Sequence, residues 1–157
     1  MGGRQGDPAD PSRRIPVGPG TYVLVAHLSA SERLRIGRLG TFDFGTGVYL
    51  YVGSALGGLR ARIARHMRGG RMHWHIDYLM AHADLPEVWV FESPKRLECR
   101  ISETLSRRLP RPIRGFGASD CRCSSHLFYG GMEAEAFARI EGVLRGVTRS
   151  IGIGRRA

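Results

Sequence analysis

Asparagine is missing from this 157-residue chain, lysine occurs once, as Lys95, and cysteine only three times. From Phe44 to Ile76 there is no acidic residue. Three cysteines, an odd number, do not make a disulfide framework. No apolar run nears the ~18 residues of a membrane span. The Gly/Pro-rich N-terminal stretch has no apolar h-region, so a secretory leader is not expected either. A cytoplasmic protein without membrane contact is the expectation. Hydrophobic residues at 42% and charged residues at 24% exclude a wholly disordered chain. The length fits one domain, for which ~100–200 residues is usual, and it suffices to bury a core without staples.

Positive charge is what the chain holds in excess. Lys+Arg number 24 against 14 Asp+Glu, a formal net of +10. A GC-rich genome would account for arginine over lysine and for the missing asparagine, but not for that imbalance. Arg60, Arg62, Arg65, Arg68 and Arg71 fall in the acid-free stretch, and Lys95, Arg96, Arg100, Arg107, Arg108, Arg111 and Arg114 form a second block. Clustering of this kind is the electrostatic footprint of a polyanion partner. Nucleic acid ranks ahead of a membrane because no strongly apolar amphipathic anchor accompanies the charge. The bland alternative is a merely solvated basic surface.

Residues 1–17, rich in Gly, Pro, Asp and Arg, read as a disordered tail, residues 18–146 as one domain and residues 147–157 as a flexible basic tail. Within the domain, Thr21–Leu28 is mostly apolar, as in a strand buried on both faces. Leu34–Gly37 and Gly47–Val52 are shorter strand candidates, and the short connections favour an antiparallel meander from Thr21 to Gly53. Leu59–Met67 and Met72–Ala83 have helical apolar periods; the first puts Leu59, Ile63 and Met67 on one stripe. Pro86 then breaks the chain before a strand at Val88–Phe91. A helix over Arg96–Leu109 ends at Pro110, a Gly/Ser/Cys loop leads to an apolar His126–Tyr129, and a last helix spans Met132–Arg145. The expected fold is a small α+β domain: a mainly antiparallel sheet flanked by helices.

Three segments hold residues with chemical potential. Tyr22 and Tyr51 each stand near glycine at a strand end, a weak signal alone because strand tyrosines are commonly structural. On the helical wheel of residues 59–67, Arg62 and His66 lie together beside the apolar stripe, while Arg65 and Arg68 point away as part of a solvated basic face with Arg60 and Arg71. Taken alone, Arg62 reads equally as a snorkelling surface arginine. Glu98 borders the Leu97/Ile101/Leu105 stripe and can reach a concave surface, whereas Glu103 lies on the far side.

Gly20-Thr21-Tyr22, then Tyr51-Val52-Gly53-Ser54-Ala55, Leu59-x-x-Arg62-x-x-x-His66 and Leu97-Glu98, in this order, resemble the GIY-YIG nuclease superfamily. His73-Trp74-His75-Ile76-Asp77-Tyr78-Leu79 and the segment from Ser119 to Tyr129 are similar to one branch of stand-alone bacterial and archaeal proteins, sometimes joined to a DNA-repair glycosylase domain. The resemblance spans roughly Gly20 to Gly130. It implies a three-stranded antiparallel sheet with flanking helices and, from the long gap between the tyrosine motifs, an inserted hairpin around Ile36 to Phe44. It also implies cleavage of phosphodiesters, in DNA rather than RNA, with one Mg²⁺ or Mn²⁺, and a DNA-repair partner. Tyr22, Tyr51, Arg62 and His66 match its catalytic positions and Glu98 its metal ligand. Such a role suits each group. A carboxylate plus waters is a usual Mg²⁺ site, an arginine holds phosphate bidentately, and surrounding cations would favour a phenolate base at Tyr22 or Tyr51. The chain departs from the superfamily in having no asparagine after the glutamate helix.

Cys121-x-Cys123-x-x-His126 could begin a zinc site, with His73, His75 or Cys99 as fourth ligand. Its spacing is tighter than that of structural zinc sites, so reduced cysteines packed near the sheet are the preferred expectation and zinc the alternative. Trp74, Tyr78, His75 and His82 offer either an aromatic platform for bases or a buried face. Three functions follow: a metal-dependent endonuclease, a non-catalytic nucleic-acid-binding module on the same basic face, and a Cys/His zinc protein or thiol enzyme.

Overall fold

Consecutive apolar residues at Tyr22–Ala26 leave no polar face there, so both sides of that strand must be covered. In the computed structural model, which describes residues 11–109 and 112–157, they are. The strand β1 (Gly20–Leu28) lies in the middle of an antiparallel sheet between β4 (Gly47–Ala55) and β5 (Asp84–Glu92). β6 (Leu127–Gly131) extends the sheet beyond β4, and the two-residue β7 (Arg155–Arg156) extends it beyond β5. The sheet thus has five strands, in the order β6-β4-β1-β5-β7, and two of the three central ones, β1 and β4, carry the tyrosine motifs. The α+β expectation holds; the three-stranded sheet is enlarged at both edges.

β2 (Glu32–Ile36) and β3 (Gly40–Phe44) pair only with each other, as a separate hairpin between β1 and β4. The insertion is therefore real but starts earlier than Ile36, and the meander skips from β1 to β4. Pro86 does not stop β5. The register with β1 shifts between Val25 and His27, opposite Leu85 and Pro86, and an irregularity of this kind is where a strand tolerates a residue without an N–H.

Strand alternation sends the two halves of each central strand to two cores. Tyr22, Leu24, Tyr49 and Tyr51 face one layer, made of the hairpin, α1 (Leu59–Arg68), α2 (His75–Met80) and Phe116. Val23, Val25, Leu50 and Val52 face the other, made of α3 (Glu98–Arg108) and α4 (Glu133–Ile151). The α4 helix runs on from Arg145 to Ile151 because Val147 and Ile151 continue its apolar stripe. It stops at Gly152, whose left-handed φ of 85° suits a residue without a side chain. The residues expected to form a loose basic tail are thus the end of α4 and an edge strand, with Ala157 N–H donating to the Val88 carbonyl. Of the expected N-terminal tail, residues 1–10 lie outside the described residues. Pro11–Arg14 forms a 3₁₀ turn and Ile15 is buried. No helix among the described residues is long and apolar enough to cross a membrane.

Gly53 lies directly opposite Tyr22 in the β1–β4 register. A Cβ at position 53 would collide with the Tyr22 ring and hydroxyl. Overpacking of this kind costs ~1–3 kcal/mol. Gly53→Ala is expected to lower unfolding stability by about that amount in denaturant titration, whereas Gly57→Ala, with open space around its Cβ, leaves the midpoint nearly unchanged.

Candidate active site

The α1 helix presents its functional residues differently from the expected stripe. Leu59, Ile63 and His66 are its buried residues, and Met67 is 45% exposed. Position i+7 lies ~20° from the azimuth of Leu59 and i+8 ~80° from it, at 100° per residue. The polar residue therefore takes the inward position, and its partners come from two other elements. Tyr22 Oη on β1 lies 2.7 Å from His66 Nε2, and Asp77 Oδ1 on α2 lies 3.3 Å from His66 Nδ1.

The chemistry of these contacts assigns the protons. A carboxylate only accepts, so His66 carries its proton on Nδ1 and donates it to Asp77. Nε2 is left as an acceptor, and the Tyr22 hydroxyl donates to it. Burial is the main cause holding the His66 pKa below its ordinary 6.5, with Asp77 opposing and Arg62 and Arg65 assisting, so the ring is neutral near pH 7. Asp77 is held in place from several sides. Its carboxylate accepts the backbone N–H groups of His73 (2.9 Å) and Trp74 (2.8 Å) and pairs with Arg65 at 3.2 Å. Burial pushes its pKa up, but these amides, His66 and Arg65 together outweigh burial and hold it below the ordinary value. The same carboxylate reaches back to cap the start of α2, which explains why that helix begins at His75 rather than Met72.

The phenols behave otherwise than the basic surroundings suggest. Tyr22 is 1% exposed and Tyr51 7%. Burial raises both pKa values well above 10, and Arg62 only partly opposes it. Neither is a phenolate at neutral pH. The expectation that nearby cations would ionise them is corrected here: desolvation outweighs the arginine.

Both rings open onto a cleft of about 540 Å³, whose wall also includes Ser54, Arg62, His73, Trp74, His75, Arg96, Glu98 and Asp120. Arg62 donates to the Ser54 carbonyl at 2.9 Å, and its guanidinium lies 4.3 Å from the centre of the Trp74 ring. Glu98 is the first residue of α3, on the opposite core layer from Tyr22. It reaches the cleft because Thr21 Oγ1, on the other face of β1, accepts the Leu97 N–H at 3.3 Å. Its side chain is 18% exposed. Burial pushes its pKa up, Asp120 adds to the rise, and Arg96 and Arg62 oppose it.

The structure therefore gathers Tyr22, Tyr51, Arg62 and Glu98 in one cleft, with His66 behind Tyr22. The four arginines expected to bind nucleic acid divide. Arg60 donates to the Ile15 carbonyl at 2.8 Å, tying down the N-terminal segment. Arg65 does not point away: it pairs with Asp77 and lies 4.2 Å over Trp74, because α2 packs on that side of α1. Arg68 and Arg71 are exposed. The exposed Glu103 pairs with Arg107, remote from the cleft wall. Of the possible zinc ligands, His73 and His75 line the cleft, and His75 Nδ1 accepts the Gly117 N–H at 2.8 Å. Asp77, Thr21 and Ser54 had no assigned role in the sequence. Only the acid-free stretch ending just before Asp77 hinted that this carboxylate has several cations to itself.

A lowered His66 pKa sets a stability trend. Near and below pH 6.5 the unfolded chain takes up a proton that the native imidazole resists, so this contribution is complete above that pH and is lost as pH falls towards the native pKa. His75 and His126, also lowered by burial, act in the same direction. Thermal unfolding is therefore expected to shift to lower temperature as the pH drops from 7 to 5. His66→Gln should reduce the slope of Tm against pH over that interval.

No curated protein and no solved structure gives a significant match to the chain. Residues 21–149 match a protein family described as Domain of unknown function DUF123. That match takes in β1, the hairpin, every element contributing to the cleft and most of α4. The chain thus belongs to the DUF123 family.

Proposed function

We propose that the chain is a metal-dependent nuclease of GIY-YIG type that hydrolyses phosphodiester bonds in DNA, in a repair setting. The observation that carries this reading is the convergence of Tyr22, Tyr51, Arg62 and Glu98 from four separate elements on one cleft, with the hydrogen-bonded series Tyr22–His66–Asp77 behind it.

The residues fit a hard divalent cation. Glu98 is a largely buried carboxylate whose ionised form is disfavoured by its surroundings, and Asp120 shares the same wall. Oxygen donors of this kind suit Mg²⁺ or Mn²⁺, and a cation there would offset the cost of burying the charge. When bound, the ion supplies Lewis-acid stabilisation of charge on the phosphoryl group.

The chain's own residues supply the rest. Arg62 is oriented by the Ser54 carbonyl and Trp74, and the remaining N–H groups of its fork are suited to a phosphate. Tyr22 acts as a proton relay rather than a preformed phenolate. As it removes a proton from the attacking water, its own proton passes to His66 Nε2, and Asp77 stabilises the imidazolium that forms. Tyr51 stays protonated and is suited to donate a hydrogen bond to a phosphoryl oxygen. Arg68, Arg71 and Arg96 give the exposed surface a charge that attracts the DNA backbone.

The test is cleavage of a labelled panel (single strand, duplex, flap, four-way junction and RNA) with Mg²⁺, Mn²⁺ or chelator. Metal-dependent DNA cleavage is expected. Arg62→Ala, Glu98→Ala and Tyr22→Phe should each slow it by ~10²-fold or more while remaining folded by circular dichroism; Tyr22→Phe also leaves His66 without its buried donor and is expected to lower the Tm. Salt-sensitive binding without cleavage under every metal would make the chain a non-catalytic nucleic-acid-binding module instead.

A further inference from the structure

The chain has three cysteines, and all three meet at one histidine. Cys99 lies on α3, Cys121 and Cys123 in the loop before β6, and His126 at the end of that loop. One ligand atom from each, three thiols and an imidazole nitrogen, lies within 4.8 Å of every other. Ligands of a tetrahedral zinc ion with Zn–S near 2.3 Å stand ~3.8 Å apart, with S···N slightly shorter. Cys121 Sγ and His126 Nε2 are 3.5 Å apart. No disulfide links any of the cysteines.

We propose that Cys99, Cys121, Cys123 and His126 form a closed structural zinc site that clamps the loop of residues 119–126 onto α3 beside the cleft. Three observations beyond proximity support it. Ser119-Asp120-Cys121-Arg122-Cys123-Ser124 has no aliphatic or aromatic residue, so this part of the loop has no hydrophobic core of its own. A metal supplies that missing anchor. The site is also preorganised: the His126 N–H donates to the Phe116 carbonyl at 2.8 Å, and the His126 carbonyl accepts the Val52 N–H at 2.9 Å, which fixes the ring on the edge of β4. Arg100 and Arg122 line the adjoining pocket with Cys99 and Cys123, where they offset the net negative charge of three thiolates on one Zn²⁺.

Tight C-x-C spacing argues against zinc only if both neighbouring ligands come from a regular finger. Here the third sulfur comes from a helix 22 residues earlier in the chain, and this permits closure. With four protein ligands there is no open position, so the site is structural rather than catalytic. It also bears on the cleft. With Nε2 on the metal, the His126 proton sits on Nδ1, which faces Glu98 Oε2 at 3.9 Å. Metal-bound histidines commonly give that second N–H to a carboxylate. At 3.9 Å the pair is longer than a hydrogen bond, and its closing on zinc binding would make His126 a positioning residue for Glu98; Asp120, the residue next to the ligand Cys121, is held at the cleft wall by the same clamp.

The experiment is metal analysis of the full chain expressed with zinc in the medium, followed by Co²⁺ titration of the chelator-treated protein. Expected are about one zinc per chain and, with one equivalent of Co²⁺, the intense visible bands of a tetrahedral thiolate site. Removal of zinc should lower the Tm, and zinc readdition should restore it. Cys99→Ser and Cys121→Ser should lose both zinc and the tetrahedral spectrum, while His82→Ala keeps them. Glu98→Gln should retain the metal but release it to a chelator ~10–100-fold more readily; unchanged retention overturns the link to Glu98. A wild-type chain with neither zinc nor a tetrahedral Co²⁺ spectrum, zinc unaffected by Cys99→Ser, or a native Cys121–Cys123 disulfide overturns the site. None of these readouts depends on nuclease activity, so the two proposals fail separately.

Discussion

Tyr22 and Gly53 face one another across β1 and β4, and the ring of Tyr22 fills the space that a side chain at 53 would need. From that single register the rest follows. Period-two alternation puts Tyr22 on the layer of α1 and α2 and the adjacent Thr21 on the layer of α3. Two adjacent residues of β1, Thr21 and Tyr22, thus hold the phenol against His66 and, through Leu97, the start of the helix that delivers Glu98. A slip of one residue would exchange the two faces and separate every group in the cleft.

Burial and charge compete at this junction, and burial decides the protonation states. Tyr22, Tyr51 and His66 are all kept neutral by loss of solvent, although Arg62 lies among them. Asp77 alone is kept ionised, because two backbone amides, an imidazole and Arg65 converge on it. The outcome is a line of donors and acceptors with one fixed anion at its inner end. Such an arrangement moves a proton along a defined direction instead of storing charge at the phenol. Trp74, between α1 and α2, stacks with both Arg62 and Arg65, so the guanidinium groups that flank the line share one apolar support.

Glycine and cysteine set the other wall. Gly117 has a φ of +69°, and a Cβ there would stand 3.0 Å from the Tyr51 ring and 3.1 Å from His126. Its N–H meets His75 at the same point. The loop that carries Asp120 and the two neighbouring cysteines is thus pressed between Tyr51, α2 and α3, where a side chain at 117 would push it outwards.

The resemblance to the GIY-YIG superfamily supplied the insertion between the tyrosine motifs and joined Tyr22, Tyr51, Arg62, His66 and Glu98 into one set; composition and period declared an α+β fold, a β1 covered on both sides, and Arg62, His66 and Glu98 beside the apolar stripes of their helices. These are local properties: spacing within one strand or helix fixes which residues share a face. What lay beyond reach were the encounters between elements. Asp77 belongs to His66 only because α2 folds against α1, and Arg65 is drawn inwards for the same reason; of the three possible partners His73, His75 and Cys99, only the packing of α3 selects Cys99 for the Cys121 cluster. The edge strand β7 and the end of α4 were hidden because glycine and arginine mask a short apolar stripe. Ionisation was equally illegible, since a run of arginines in sequence announces a field but not the depth of burial that opposes it. The amino-acid order determined the faces; tertiary packing decided the partners, because pKa, hydrogen bonding and ligand geometry depend on distances between residues far apart in the chain.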